Sequence, residues 1–311
     1  FGSDDVAMTG TLCMAHRCAL DMLLLGALLM LTLPFSSGHA PYPLKKVPAV
    51  YPQPERLVAI GDLHGDLDAT RMALRLAGVL HEAKDQWVGG STVAVQVGDQ
   101  LDRGDEELAI FELLEKLRVQ AQADGGALHV MLGNHETMNA AGNFGYATEG
   151  ALRSFQRWHQ ICRFANFLPK KVAEACHCSL YKGPLQCGPQ DTACRIVVKR
   201  MAPYARPRYL ALRSGGAISK GLLSSHPAIL IVGDTLFVHG GVTREHLSHP
   251  GGAMAAVDKI NYEISSFLSG ASHRQPRWVR GGGPLWLRAL SGGAVDAGTC
   301  GRLRRALVSG A

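Results

Sequence analysis

At 311 residues, 47% of them hydrophobic and 19% charged, the chain can build one large domain or two small ones and is too poor in charge for a disordered polyelectrolyte. Its net charge of +6 comes from arginines spread around a Cys-rich middle and near the end (Arg302, Arg304, Arg305) and calls for no polyanion partner, although a mild basic excess suits an anionic phosphate substrate. No interleaving of basic and aromatic residues points to nucleic acid.

The sequence opens on Phe1, and Met14 makes a more natural start. Arg17, the apolar run from Met22 to Leu33, the helix breaker Pro34 and the small residues around Gly38-His39-Ala40 have the layout of a signal or organellar targeting segment. The run falls short of the roughly 20 residues a membrane span needs, so an uncleaved anchor is the second choice. Residues 1–40 are therefore expected to be a presequence directing the protein to the secretory pathway or an organelle. Residues 41–55, with five prolines, read as an extended linker, and the catalytic domain is expected over residues 56–311.

Leu57-Val58-Ala59-Ile60 is a short apolar run stopped by Gly61, the pattern of a strand buried on both faces. Ala69, Met72, Ala73 and Leu76 then recur at helical spacing, with Gly78 just past the end. Thr92 to Val97 is a second strand, Glu106 to Gln122 a second helix with Leu108, Phe111, Leu114, Glu115 and Arg118 in a helical pattern, and Ala127 to Leu132 a third strand. Ile229 to Val232 and Leu236 to Val238, separated by Gly233-Asp234, read as a hairpin in another sheet. The alternation predicts an α/β fold of two packed mixed β-sheets flanked by helices.

Four strand ends carry the chemistry: Gly61-Asp62-Leu63-His64-Gly65, Gly98-Asp99-Gln100-Leu101-Asp102-Arg103-Gly104, Gly133-Asn134-His135-Glu136 and His239-Gly240-Gly241. Each alone could be a turn or a cap; four in one chain supply the mixed oxygen and imidazole donors of two adjacent divalent cations. Asp62 and His64 are spaced to share one ion, Asp99 is the natural bridge, and Asn134 and His239 suit the second. His135, oriented by Asp102, fits a general acid, and Arg103 offers a planar fork to phosphate oxygens. Glu136 and Asp66 read as groups that fix His orientation.

This motif set resembles the phosphoprotein phosphatase branch of the calcineurin-like metallophosphoesterases. The stretches Trp87 to Thr92, Gly215 to Ser219 and Gly281 to Ser291, with Trp286-Leu287-Arg288, are similar to the Shewanella-like protein phosphatases. The resemblance implies a metallophosphoesterase fold and two metals, manganese first with iron or zinc as alternatives. Asp62, His64 and Asp99 would hold one metal and Asp99, Asn134 and His239 the other, with Asp102, Arg103 and His135 serving substrate binding and catalysis. It implies hydrolysis of phosphorylated proteins or peptides by attack of metal-bound hydroxide, with small phosphoesters or nucleotides as alternative substrates. The family also supplies a further His, in a Gly-His-Thr-like turn, which is expected after the Arg302–Leu307 segment. Its absence points to a truncated sequence, and leaves an inactive phosphoprotein-binding role as the other reading.

The insert at about 156–206 is expected to flank the cleft. Six cysteines remain beyond the presequence, from Cys162 to Cys300; one or two disulfides in the insert and free thiols are about equally expected, while Cys176-x-Cys178 lacks zinc-site spacing.

Overall fold

The structure, a computed structural model, describes residues 47–180 and 185–288. The expected presequence and the Arg302–Leu307 segment lie outside the described residues. In chain order the elements that position the site are β1 (Val50–Tyr51), β2 (Leu57–Ile60), α1 (Leu67–Leu76), β3 (Val93–Gln96), α2 (Glu107–Ala123), β4 (Ala127–Val130) and α3 (Asn134–Ala140). There follow α4 (Glu149–Cys162), α5 (Lys170–Ala175), α6 (Thr192–Arg200), α7 (Arg206–Leu212), α8 (Ala217–Gly221), the hairpin β5 (Ile229–Val232) and β6 (Thr235–Val238), and α9 (Gly252–Ser269).

One sheet is β2-β3-β4, parallel throughout, with Ile60, Gln96 and Val130 in register at their carboxyl ends. The other is β1-β5-β6, in which β1 runs parallel to β5 and β5 pairs antiparallel with β6. Val95 and Met131 of the first sheet pack against Leu230 and Val232 of the second. This is the expected α/β metallophosphoesterase architecture of two sheets flanked by helices. Parallel strands in register send every following loop off the same edge, which is why three loops far apart in sequence meet there.

Several local readings change once the packing is seen. Among the described residues β2 pairs only with β3 and leaves Ala59 exposed, so in this part of the structure it is not buried on both faces. The apolar stripe chosen for α1 is the wrong one: Met72 and Leu76 are 61% and 83% exposed, while Leu67, Thr70 and Leu74 face the core. Thr70 can be buried because its hydroxyl donates to the Asp66 carbonyl at 2.6 Å. Of the proline-rich stretch, residues 47–55 are described. Its end enters the fold: Val47 and Ala49 are buried, and Val50–Tyr51 pairs with Ile231–Val232. In α2 the expected pattern holds at Leu108, Phe111 and Leu114, all buried.

Two disulfides, Cys162–Cys178 and Cys187–Cys194, staple the insert. Its first helix, α4, is anchored by Phe155 and Trp158 in the main core cluster. No helix among the described residues is long and apolar enough to cross a membrane.

Where the two sheets meet, Tyr51 of β1 stacks on His129 of β4, ring centroids 4.0 Å apart. Burial pushes His129 down to about 4 from an ordinary value of 6.5. A folded-state pKa below the unfolded one means the unfolded chain binds the proton first, so stability is whole above pH 6.5 and falls between 6.5 and 4. His129→Phe, which keeps the stacking surface and removes the titration, is expected to show a smaller drop in melting temperature over that interval than the parent. A melting series from pH 7 to 4 measures it; an unchanged drop would place the acid sensitivity elsewhere.

Candidate metal centre

Each motif leaves the carboxyl end of a strand: Gly61–Gly65 after β2, Gly98–Gly104 after β3, Gly133–Glu136 after β4 and His239–Gly241 after β6. One buried carboxylate ties the middle two together. Glu136 accepts backbone N–H bonds from Gly133 and Asp99 on one oxygen (2.7 and 2.9 Å) and from Gln100 and Leu101 on the other (2.9 and 3.1 Å). The Asp99 carbonyl in turn accepts from Leu63 and His64, both at 2.9 Å, which brings in the first loop. A Cβ on Gly133 would lie 2.0 Å from Asp99 Oδ1, so only glycine permits this approach.

His64, Asp99, Asp102 and Arg103 all adopt left-handed backbone, with φ of 46°, 56°, 70° and 69°. Such conformations are uncommon outside glycine and persist only where surrounding bonds over-determine them. Four of them on two touching loops show a constellation held by its surroundings.

The donor atoms converge on Asp99, which is 3% exposed. Its Oδ2 lies 3.3 Å from His239 Nε2, 3.8 Å from His64 Nε2 and 3.8 Å from His135 Nε2. Asp62 is within 3.7 Å of His64 and 3.8 Å of His239. Two groups of three, Asp62-Asp99-His239 and His64-Asp99-His135, each have ligating atoms within 4.8 Å of one another and share Asp99. The set expected from sequence for one ion lies together as well, with His64 Nε2 3.7 Å from Asp62 and 3.8 Å from Asp99.

The hydrogen bonds separate the three imidazoles. His239 Nδ1 faces the Val97 carbonyl at 3.0 Å and His64 Nδ1 the Leu101 carbonyl at 2.9 Å, so each of these nitrogens carries the proton and donates. That turns the Nε2 lone pair of His239 toward Asn134 Oδ1, 2.9 Å away, and toward Asp99. Acceptors facing one another at this range need a cation or an added proton between them. Burial opposes charge on His239, but the Asp99 carboxylate outweighs it and raises the imidazole above its usual range. Burial works against charge on Asp99 too, yet its bonds with His239 and His135 hold the carboxyl below the usual range. Buried Glu136, facing the Asp99 charge, is pushed up to about 7. The mix of hard oxygen and imidazole donors fits divalent cations.

His135 differs. Its Nδ1 donates to a carboxylate, Asp102 Oδ2 at 2.7 Å, in a fully buried pair. Burial disfavours a charged His135, but Asp102 reverses the balance and raises it. Arg103 is exposed, with its guanidinium 5.9 Å from the Tyr146 ring, which itself lies 5.1 Å from His135. Asp66 is instead the N-cap of α1, accepting from Ala69 N at 2.8 Å, and does not orient a histidine.

Four residues with roles in this geometry escape the sequence reading. Asn139, one turn past His135, donates to Asp102 Oδ2 at 2.9 Å. Arg208 reaches Asp102 Oδ1 at 2.8 Å from α7. Arg288, in the Trp286-Leu287-Arg288 stretch, donates to Asn134 Oδ1 at 3.3 Å. Tyr146 also offers its carbonyl to Arg103 N at 2.9 Å. Helical spacing could have flagged Asn139; nothing local marks Arg208.

Residues 55–184 match the family model for calcineurin-like phosphoesterases. Over 265 residues the chain is 38% identical to Shewanella-like protein phosphatase 2 of Arabidopsis thaliana, covering 83% of this chain and 63% of the relative. Shewanella-like protein phosphatase 1 of Plasmodium berghei is 34% identical over 113 residues, 36% of this chain and 31% of that one. Among solved structures, a cold-active protein-tyrosine phosphatase of a psychrophile Shewanella species superimposes with a TM-score of 0.52 at 20% identity, over 82% of this chain and 63% of that one. A mutant cold-active protein tyrosine phosphatase gives 0.54 at 22% identity with the same coverage. At such identities the structures share the fold. The chain spans about 63% of the length of its first relative.

Glu136→Gln tests the tie between the loops. An amide offers one acceptor oxygen where the carboxylate has two, so two buried N–H groups lose their partner at about 1–3 kcal/mol each. Denaturant unfolding is expected to show a loss of about 2–6 kcal/mol; an unchanged midpoint would mean the loops hold without it.

Proposed function

We propose that the chain is a calcineurin-like phosphoesterase, and within that family a dinuclear-metal phosphoprotein phosphatase that hydrolyses phosphomonoesters; the match of residues 55–184 to the family model and the 38% identity to a Shewanella-like protein phosphatase support this reading. The observation that carries this reading is the single buried carboxylate, Asp99, common to two groups of ligating atoms, with the His135–Asp102 pair beside it. Similarity to protein phosphatases favours phosphorylated proteins or peptides as substrates.

In this reading Asp62, His64 and Asp99 would hold one divalent cation and Asp99, Asn134 and His239 the other, with manganese the first candidate and iron or zinc the alternatives; His64 lies within 3.8 Å of both carboxylates, and His239 within 3.3 Å of Asp99 and 2.9 Å of Asn134. When bound, such a pair polarises the phosphoryl oxygens and acidifies water. The carbonyl bonds to His64 and His239 fix both rings with Nε2 as the ligating atom. Exposed Arg103 presents donors to phosphate oxygens in fork geometry, with Tyr146 beside it as an aromatic wall. His135, its Nδ1 held by Asp102, turns Nε2 to the same side as Asp99. From there Nε2 gives a proton to the departing alcohol oxygen as its bond to phosphorus breaks, and Asp102 steadies the ring throughout.

Release of phosphate from a phosphopeptide by the manganese-loaded protein tests the reading. Tight peptide binding without release would favour a non-catalytic binding role, and turnover confined to nucleotides would favour small esters. Asp99→Asn is expected to lose both manganese ions, counted by elemental analysis, and essentially all activity. His135→Ala is expected to keep both ions and to slow turnover by about 10²–10⁴-fold. Loss of metal in His135→Ala would overturn its assignment as the acid.

A further inference from the structure

Among the described residues Arg208 is the largest of the fully buried side chains, 0% exposed, and it comes from α7, 106 residues past Asp102. Its guanidinium donates to Asp102 Oδ1 at 2.8 Å, to Glu107 Oε2, and to Asn139 Oδ1 at 3.0 and 3.2 Å. The rings of Phe155 and Phe144 lie 5.2 and 5.8 Å from it. Burying a charged cluster is costly, and apolar replacements of buried ion pairs are often neutral or stabilising, so a fold staple alone is a weak reason for this one.

The pattern of bonds supplies a stronger reason, because nearly every thread ends at Asp102. Besides His135, the groups that touch its side chain are Arg208 and Asn139, and Asn139 is itself held by Arg208. Its backbone N–H, at a left-handed φ of 70°, donates to Glu107 Oε1 at 2.6 Å, and the other Glu107 oxygen is held by Arg208. Arg208 thus grips Asp102 at both ends. The remaining bond, from His135 Nδ1 to Asp102 Oδ2 at 2.7 Å, joins this cluster to the imidazole whose Nε2 lies 3.8 Å from Asp99.

We infer that Arg208 is a positioning residue for the phosphoester hydrolysis proposed above: by locking the Asp102 carboxylate it fixes the aim of His135 at the leaving oxygen. The inference rests on that hydrolase reading. A loosened Asp102 lets the imidazole swing, which harms proton delivery most where the leaving group needs a proton most.

The test compares Arg208→Gln and Arg208→Lys with the parent protein, all manganese-loaded, on phenyl phosphate and on p-nitrophenyl phosphate, whose leaving group departs with little help. Expected is a fall in kcat of about 10²-fold on phenyl phosphate, at the lower end of what general-acid catalysis contributes. The fall on p-nitrophenyl phosphate should be several-fold at most, with KM and manganese content unchanged. In an Asp102→Asn background the Arg208 changes should add nothing, since the path they act through is already cut. Equal losses on both esters, or full additivity with Asp102→Asn, would overturn the inference and leave Arg208 a structural staple. If Arg208→Gln does not fold, Arg208→Lys, which keeps the charge but not the fork, carries the same comparison. A parent protein inactive on both esters overturns the hydrolase reading itself, whereas an active parent with unaffected variants overturns only the role of Arg208.

Discussion

The Glu136 carboxylate is the constraint on which the centre depends. Four backbone N–H groups from two loops end on its two oxygens, inside a protein that gives it no exposure at all. A buried carboxylate is costly to desolvate, and hydrogen bonds to charged groups offset that at about 1.5–3 kcal/mol each. The exchange works only when all four donors point inward together. That requirement fixes the path of residues 98–101 relative to Gly133, and with it the position of Asp99. Glu107 repeats the device one step along, taking the N–H of Asp102. The loop between Gly98 and Gly104 is therefore suspended from two fully buried glutamates.

Suspension of this kind explains how four non-glycine residues can sit in left-handed backbone at one site. Left to local preference, each would relax to an ordinary conformation at a gain of about 1–3 kcal/mol. Held in place, they aim the Asp99 carboxylate and the His64 imidazole at a common point, where His239 and Asn134 crowd further lone pairs. The crowding is itself a functional statement. His239 Nε2, Asn134 Oδ1 and Asp99 Oδ2 face one another with no donor of their own to share when the histidine is neutral. The fold thus sets up an electrostatic demand for positive charge at this point.

The region after α3 contributes more than cover. α4 enters the main core through Phe155 and Trp158, and two disulfides close the stretch that follows. α7 then returns Arg208 to the back of the His135–Asp102 pair, while Arg213 at its end pairs with Asp191, the N-cap of α6, at 2.6 Å. The least motif-like third of the chain is in this way mechanically joined to the most motif-rich.

The sequence alone determined the strands of the parallel sheet, the hairpin, and the four loops with their ligating residues, because each is written in a short local pattern: an apolar run, then glycine, then a hard donor. Local pattern also explains the failures. Met72 and Leu76 fit a helical period as well as Leu67, Thr70 and Leu74 do, and only packing chose the face. Asp66 stands near His64 in sequence, but capping α1 uses its carboxylate first. Val50 and Tyr51 look like linker until β5, some 180 residues on, offers an edge to pair with. Arg208 carries no local signal whatever, since its meaning lies in acceptors 69 to 106 residues away. Which atoms the chain brings to the centre was legible residue by residue. How they are aimed was decided by tertiary structure, because orientation is set by buried hydrogen bonds between segments that share no sequence neighbourhood.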